Sequence, residues 1–233
     1  MRAGVGVAAI LARLLLQFAS TNRSSHLTIM PCNLDLARRL LALSQVGLHF
    51  STNEYDRERY RETSQLAAQL LANESGRSAE TLHSTWYVED GYATPKIDVR
   101  GAIFREQRVL LVRETTDGKW TLPGGWADVN DAPSSAVEKE IEQESGFTAK
   151  AIKLAALYDR NQHNHPSYLF HAWKAFFICE ITGGAARTSH ETDGVDFFDL
   201  DTLPELSTGR STAVQIRRMY QHHLHREWTT EFD

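Results

Sequence analysis

The run Leu122-Pro123-Gly124-Gly125-Trp126, followed at a short distance by Lys139-Glu140-Ile141-Glu142-Gln143-Glu144-Ser145-Gly146-Phe147, decides the reading of this chain. A helix is predicted from about Ala132 to Glu144, taking in most of the second run. Pro133 suits its first turn, where a missing N–H is no loss, and Gly146 suits the left-handed residue that closes a helix. Glu140 and Glu144 stand one helical turn apart, so their carboxylates lie above one another, with Gln143 on the neighbouring row. Like charges at that spacing repel. A hard divalent cation such as Mg²⁺ or Mn²⁺ relieves the repulsion, because it takes carboxylate oxygens and keeps waters that a substrate phosphate can replace. Gly124 and Gly125 come just before the helix, where a tight loop turns a carbonyl towards a metal or amides towards phosphate oxygen. Glutamate pairs are also common on solvated helix faces, so spacing alone leaves both readings open.

Outward from this segment the texture is that of short strands. Ile97 to Phe104 and Val109 to Arg113 read as a hairpin turning at Arg105 to Arg108, and Trp120 to Leu122 as a short strand. Further strands are predicted at Ala151 to Tyr158, Leu169 to Glu180 and Val195 to Asp199. A last helix over Ser211 to His223 has Val214, Met219 and Leu224 assigned to its apolar side. Strands with a central and a terminal helix make an α/β or α+β sandwich. Towards the N-terminus, Leu34 to Leu43 reads as an amphipathic helix through Leu36, Leu40 and Leu43. A second helix is predicted from Asn53, a potential cap, to Asn73. Two such helices enclose little core and need a partner surface. The expected organisation is therefore an upstream extension over 1–29, a helical unit over 30–78, a linker over 79–95 with Trp86, Tyr87 and Tyr92, and a catalytic domain over 96–233.

The 233 residues carry a formal net charge of -5, which offers no broad attraction to nucleic acid or to an anionic membrane. The only cysteines are Cys32 and Cys179, which argues against a disulfide framework and for a reducing, cytoplasmic setting. Cys179, in an apolar strand pattern, reads as a small buried hydrophobe. Val5 to Phe18 is apolar but interrupted by Arg13, too short and too charged for a membrane span. Met30 opens a more ordinary start, so residues 1–29 are expected to lie outside the fold.

The register from Gly125 to Phe147 resembles the signature of the Nudix hydrolases without insertion. Asp131 stands where that signature has its first glutamate, Lys139 where it has arginine, and Gln143 where it has the first of two paired glutamates. The resemblance implies a Nudix α/β/α sandwich with a mixed sheet, preceded by a small helical domain. It also implies hydrolysis of a diphosphate linkage with Mg²⁺ or Mn²⁺. By it Glu140 and Glu144 are metal ligands, Glu140 is also a group that positions or deprotonates water, and Gln143 and Gly124 are candidate oxygen donors. Lys139 and Asp131 fall where the family braces its loop through an ion pair; lysine keeps the charge but loses the bidentate fork. Similarity continues through Tyr92 to Asp98, Asp117 to Trp126, Leu154 to Pro166, Thr188 to Phe198 and Gly209 to Arg217. It points to a bacterial subgroup acting on ADP-ribose, with relatives acting on CDP-choline, and to a homodimer joined through the N-terminal helices.

Other candidates are read from position. Glu191, with Asp193 second, is a loop acid placed to complete the metal set or to act as base. Arg160 is assigned to a phosphate, and His163 or His165 to substrate or to ordering the loop, since the family's metals are held by oxygens. Arg100 and Arg113 are expected beside the same cleft. Trp126 either stacks on a base or covers the loop. His222, His223 and His225 read as a solvated tail. Competing functions are the trimming of RNA ends, disfavoured by the absence of a basic stripe, and a non-catalytic nucleotide-sugar sensor, which Gln143 favours and the intact Glu140 and Glu144 oppose.

Overall fold

The computed structural model describes residues 33–75, 78–86 and 91–233. The expectation for residues 1–29, together with Cys32 and Tyr87, falls outside them. Three helices come first, α1 (Asn33–Phe50), α2 (Glu54–Ser75) and α3 (Ala79–Trp86). Asn53 caps α2, its Oδ1 accepting from the Tyr55 amide at 2.9 Å. The stretch expected as a linker is helical over its first half, where Ser78 Oγ accepts from the Thr81 amide at 3.1 Å and Leu82 buries itself against Ala37, Ala67 and Leu71. Tyr92, in the remainder, is 71% exposed.

Strands β1 (Lys96–Ala102), β2 (Phe104–Arg105), β3 (Arg108–Glu114) and β4 (Trp120–Thr121) lead into helix α4 (Pro133–Ser145). Strand β5 (Phe147–Asp159), a 3₁₀ turn (Arg160–Gln162), β6 (Ala172–Gly184), β7 (Thr192–Asp199), helix α5 (Ala213–Leu224) and β8 (Glu231–Phe232) follow. One sheet runs β1-β6-β5-β8 and the other joins β2, β3, β4 and β7. The predicted hairpin survives only at its tip, where Phe104 and Arg105 pair with Val109 and Arg108. Most of the first strand instead runs parallel to β6, with Lys96 opposite Ala172 and Ala102 opposite Ile178. Val99 and Gly101 amides donate to loop carbonyls of Gly125 and Pro123, which leaves β3 to pair with β7.

Alternation along the strands builds a core on each face. Leu110 faces Val137 and Ile141 of α4, while its neighbour Leu111 faces Ile216 and Met219 of α5, giving the α/β/α order. Gly101 brings α4 close to β1, since a Cβ there would meet Ile141 Cδ1 at 2.5 Å. The apolar side assigned to the last helix is corrected: Val214 and Leu224 are 74% and 53% exposed, and the buried face is Gln215, Ile216, Met219 and His222. The histidine tract is corrected at His222, while His225 is exposed. His222 is fully buried, its Nε2 3.4 Å from Glu231 Oε1, because β8 folds back along β5 and covers the end of α5.

Candidate active site

The loop before α4 is held by β1 through the two carbonyls already described. Gly124 has φ +140°, and a Cβ on it would meet the Val99 carbonyl oxygen at 2.0 Å, so only glycine fits. Its amide donates to Glu144 Oε2 at 2.8 Å, so what Gly124 presents to the site is an N–H aimed at a carboxylate. Gly125 leaves room for Glu140, whose Oε1 would lie 3.1 Å from an added Cβ. Helix α4 ends as its sequence predicts, on Gly146 at φ +74°. Lys139 reaches back from the helix to Asp128 at 2.7 Å and Asp131 at 3.3 Å, both partners being loop acids.

These elements enclose a cavity of about 440 Å³ that takes in Glu140, Glu144, Glu191, Arg100, Arg160 and Trp126 together with Gly124. It also brings in residues that the sequence reading did not single out: Asp98, Glu114, Tyr168, Lys174 and Arg210. Three predicted residues are elsewhere. Gln143 points outward from α4 and is exposed. Arg113 is engaged by Asp193 at 2.7 Å. His163 is paired with Asp233 at 2.8 Å and stacked on Tyr158. His165 orders the neighbouring loop, with Nδ1 2.6 Å from the Thr208 carbonyl and Nε2 2.9 Å from Gln215 Nε2. Burial first, and then nearby Lys174 and Arg160, hold its pKa down to about 4, so it is neutral at pH 7.

Electrostatic coupling divides the cavity. On one side stand Glu114, Glu140, Glu144 and Glu191. Burial raises the Glu144 carboxyl to about 8, with Glu114 and Glu140 adding to the rise and Arg100 and the Gly124 amide opposing it. Burial also raises Glu140 and Glu114, and Glu191 pushes each further. On the other side Asp98 receives both Arg100, at 2.9 Å through each of Nε and Nη2, and Lys174 at 2.6 Å. Arg160 lies 5.0 Å from the Tyr168 ring centre, and Tyr168 stacks on Trp126 with centroids 6.2 Å apart and planes at 27°. Arg210 crosses to the acidic side and pairs with Glu114 at 2.9 Å.

Glu114, Glu140 and Glu144, held above the ordinary carboxylate pKa by burial and by neighbouring acids, suit a hard divalent cation, which favours their ionised form. No set of three or more His, Cys, Asp or Glu side chains among the described residues is arranged to hold a metal ion as it stands. The donors nonetheless fit in type, being oxygens only.

A helix bearing paired glutamates, tied to a Pro-Gly-Gly loop on a mixed sheet, defines a Nudix-type hydrolase. The family model described as the NUDIX domain matches residues 94–219, and the one described as "UDP-X-like, N-terminal oligomerisation domain" matches 31–86. The chain belongs to the Nudix family, and it is an enzyme whose chemistry is diphosphate hydrolysis. It is 42% identical over 200 residues to the Bacillus subtilis protein named "Putative ADP-ribose pyrophosphatase YjhB", a match covering 86% of this chain and 96% of that one. Among solved structures, an ADP-ribose pyrophosphatase from Streptococcus suis is 39% identical with a TM-score of 0.56, covering 60% of this chain and all of that one. A UDP-X diphosphatase is 32% identical with a TM-score of 0.57, covering 85% and 96%. No helix among the described residues is long and apolar enough to cross a membrane.

Proposed function

We propose that this chain hydrolyses the diphosphate of a small nucleoside diphosphate derivative, ADP-ribose first, giving AMP and ribose 5-phosphate. The observation that carries this reading is the division of one cavity into an acidic wall and a cationic wall, with the Trp126–Tyr168 pair beside them. A diphosphate joined to a planar base matches that order of chemistries. The names of the B. subtilis and S. suis relatives favour ADP-ribose, and that of the UDP-X diphosphatase keeps other nucleoside diphosphate compounds in the test.

Glu140 and Glu144, with Glu114 beside them, would hold Mg²⁺ or Mn²⁺. When bound, such an ion supplies activation of water and neutralisation of charge on the phosphate oxygens. The Gly124 amide fixes Glu144, and the space at Gly125 lets Glu140 face the cavity. Glu191, on the loop before β7 with its Oε1 3.2 Å from His190 Nε2, is the acid placed to take a proton from the attacking water. Arg160 is placed on the substrate side of the cavity. Lys139, through Asp128 and Asp131, ties the loop to the helix from outside.

The N-terminal helices are assigned to a homodimer contact. Leu36, Leu43 and Phe50 recur every seven residues along α1 and are 44%, 50% and 66% exposed, an apolar stripe of the kind that seats a second helix. The matched oligomerisation model covers the same helices. A net charge of -5 favours a small substrate over a nucleic acid polymer, and the free, buried Cys179 suits a reducing cytoplasm.

The test is a panel of ADP-ribose, UDP-sugar, CDP-choline, diadenosine polyphosphate and 5'-triphosphate RNA, each with Mg²⁺ and with Mn²⁺. The expected result is fastest turnover of ADP-ribose with AMP as a product. Inactivity on all members combined with tight binding of one would replace this reading by a sensor.

A further inference from the structure

Among the described residues Lys174 is the one buried lysine, 1% exposed near the start of β6, where the neighbouring Ala172, Ala175 and Phe176 are core residues. Placing an ammonium there is costly unless something compensates it. Its partner is Asp98, directly opposite in the β1–β6 ladder, with Nζ 2.6 Å from Oδ1. Asp98, however, already receives the two-pronged fork of Arg100, which satisfies both of its oxygens. One carboxylate therefore faces two cations, and this buried triad carries a net positive charge. Arg160, 5% exposed on the same side of the cavity, adds a second: among the described residues it has no carboxylate within ion-pair distance, and its Nη2 donates to the Gly209 carbonyl at 3.4 Å. Glu144 and Glu114 act on Arg100 from the acidic side, but no described carboxylate lies within ion-pair distance of Arg160, so this wall suits an anion in the cavity that it lines.

We propose that Lys174 is a substrate-contacting residue, its ammonium held in the cavity wall by Asp98 so as to neutralise the phosphate of the diphosphate that faces away from Glu140 and Glu144. The assignment rests on the diphosphate reading given above. Asp98 is then a positioning residue, and its excess of cations is what leaves the ammonium charge available to a ligand. The surroundings agree with an anion being the missing partner. Burial, with Arg100 and Arg160 adding to it and Asp98 opposing, holds the Lys174 pKa down to about 8. A lysine whose only task was to balance Asp98 would not be needed, because removing it leaves Asp98 and Arg100 as a matched pair.

The experiment is calorimetric titration of inorganic diphosphate, with saturating Mg²⁺, into the full-length wild type, Lys174→Met and Lys174→Gln. Gln keeps a donor to Asp98 and deletes the charge. Loss of one charge-assisted contact should weaken diphosphate binding by about 10-fold or more in a variant whose melting temperature is held, and raise KM for the best substrate more than it lowers kcat. Unchanged diphosphate affinity in a folded variant overturns the proposal. Should both variants fail to fold, carbon-13 NMR of the wild-type lysine ε-carbons decides it. The low titration midpoint of Lys174 should rise when diphosphate is added, and an unmoved midpoint overturns the proposal. A wild type that binds no diphosphate overturns the diphosphate reading and this inference together, whereas binding indifferent to Lys174 overturns this inference alone.

Discussion

The Gly124 amide donates to Glu144 Oε2 at 2.8 Å, which ties the loop after β4 to the last turn of α4 through a carboxylate that is itself 4% exposed. Loop and helix are thereby one unit, and each can be tested through the other. Glu144→Gln keeps the shape and one acceptor oxygen but removes the charge. It should fold normally and lose at least about 10²-fold in kcat, the scale of a deleted electrostatic stabiliser. Near-normal turnover would remove Glu144 from the mechanism.

Gly124→Ala and Gly125→Ala separate backbone strain from side-chain placement. At Gly124 the added carbon meets the Val99 carbonyl oxygen at 2.0 Å with φ at +140°, so the loop must leave β1. A loss of at least about 1–3 kcal/mol in urea unfolding is expected. At Gly125 the nearest atom is Glu140 Oε1 at 3.1 Å, a movable group. That variant should keep its stability and lose turnover, and a Gly125→Ala enzyme of full activity would show that Glu140 need not hold this position.

The raised Glu144 pKa couples metal to protons. With a folded value of about 8, against an ordinary glutamate value of 4.5, the metal-free protein binds this proton more tightly than the unfolded chain does. Its contribution to stability is therefore fully present below pH 4.5 and is lost as pH rises through about 8. Thermal melts in chelator should show a decline across that window that saturating Mg²⁺ or Mn²⁺ reverses. Because the metal takes the ionised form, binding at pH 7 should release close to one proton, measurable by calorimetry in buffers of different ionisation enthalpy. Metal uptake without proton release would contradict the assignment.

The stripe of Leu36, Leu43 and Phe50 makes oligomeric state a direct test of the N-terminal helices. Light scattering should give a wild-type mass near twice 26.3 kDa. Leu36→Glu with Leu43→Glu should halve it, because charges at two successive seam positions cannot be buried together. An unchanged mass would place any contact on another surface.

The parts of this site legible in the sequence are those fixed by local rules. Helix α4 with Pro133 and Gly146 at its ends, the stacking of Glu140 over Glu144, and the loop glycines all follow from spacing within one segment. What was not legible is set by strand register. Asp98, Glu114 and Lys174 look like ordinary strand residues until β1 is found parallel to β6, which puts Asp98 opposite Lys174. The expected β1–β3 hairpin hid that pairing. A charged residue interrupting an apolar strand, as Lys174 does between Ala172 and Phe176, was the one available signal. His222 was misread for a related reason, since its burial depends on β8 returning to β5 from outside any local pattern.

That return also reaches the site. Glu231 accepts from Tyr158 Oη at 2.6 Å and from Arg218 Nε at 3.0 Å, while Asp233 accepts from the Asp159 amide at 2.6 Å and meets His163 Nε2 at 2.8 Å. Both acids thus grip the end of β5 and the 3₁₀ turn that carries Arg160. Hydrogen bonding from Arg218 is the largest cause holding the Glu231 carboxyl down to about 2. A depressed carboxylate gives stability that is present above its ordinary value of 4.5 and lost as pH falls through about 2, so the clasp is closed at pH 7. Glu231→Ala with Asp233→Ala should leave the cores around α4 and α5 intact but free the turn. Displacing Arg160 then weakens substrate binding, and KM should rise several-fold with a smaller change in kcat. Hydrogen exchange should report the same event as faster exchange confined to 158–163. A variant with unaltered KM would mean that Arg160 is placed by its contacts with Tyr168 and Gly209 alone.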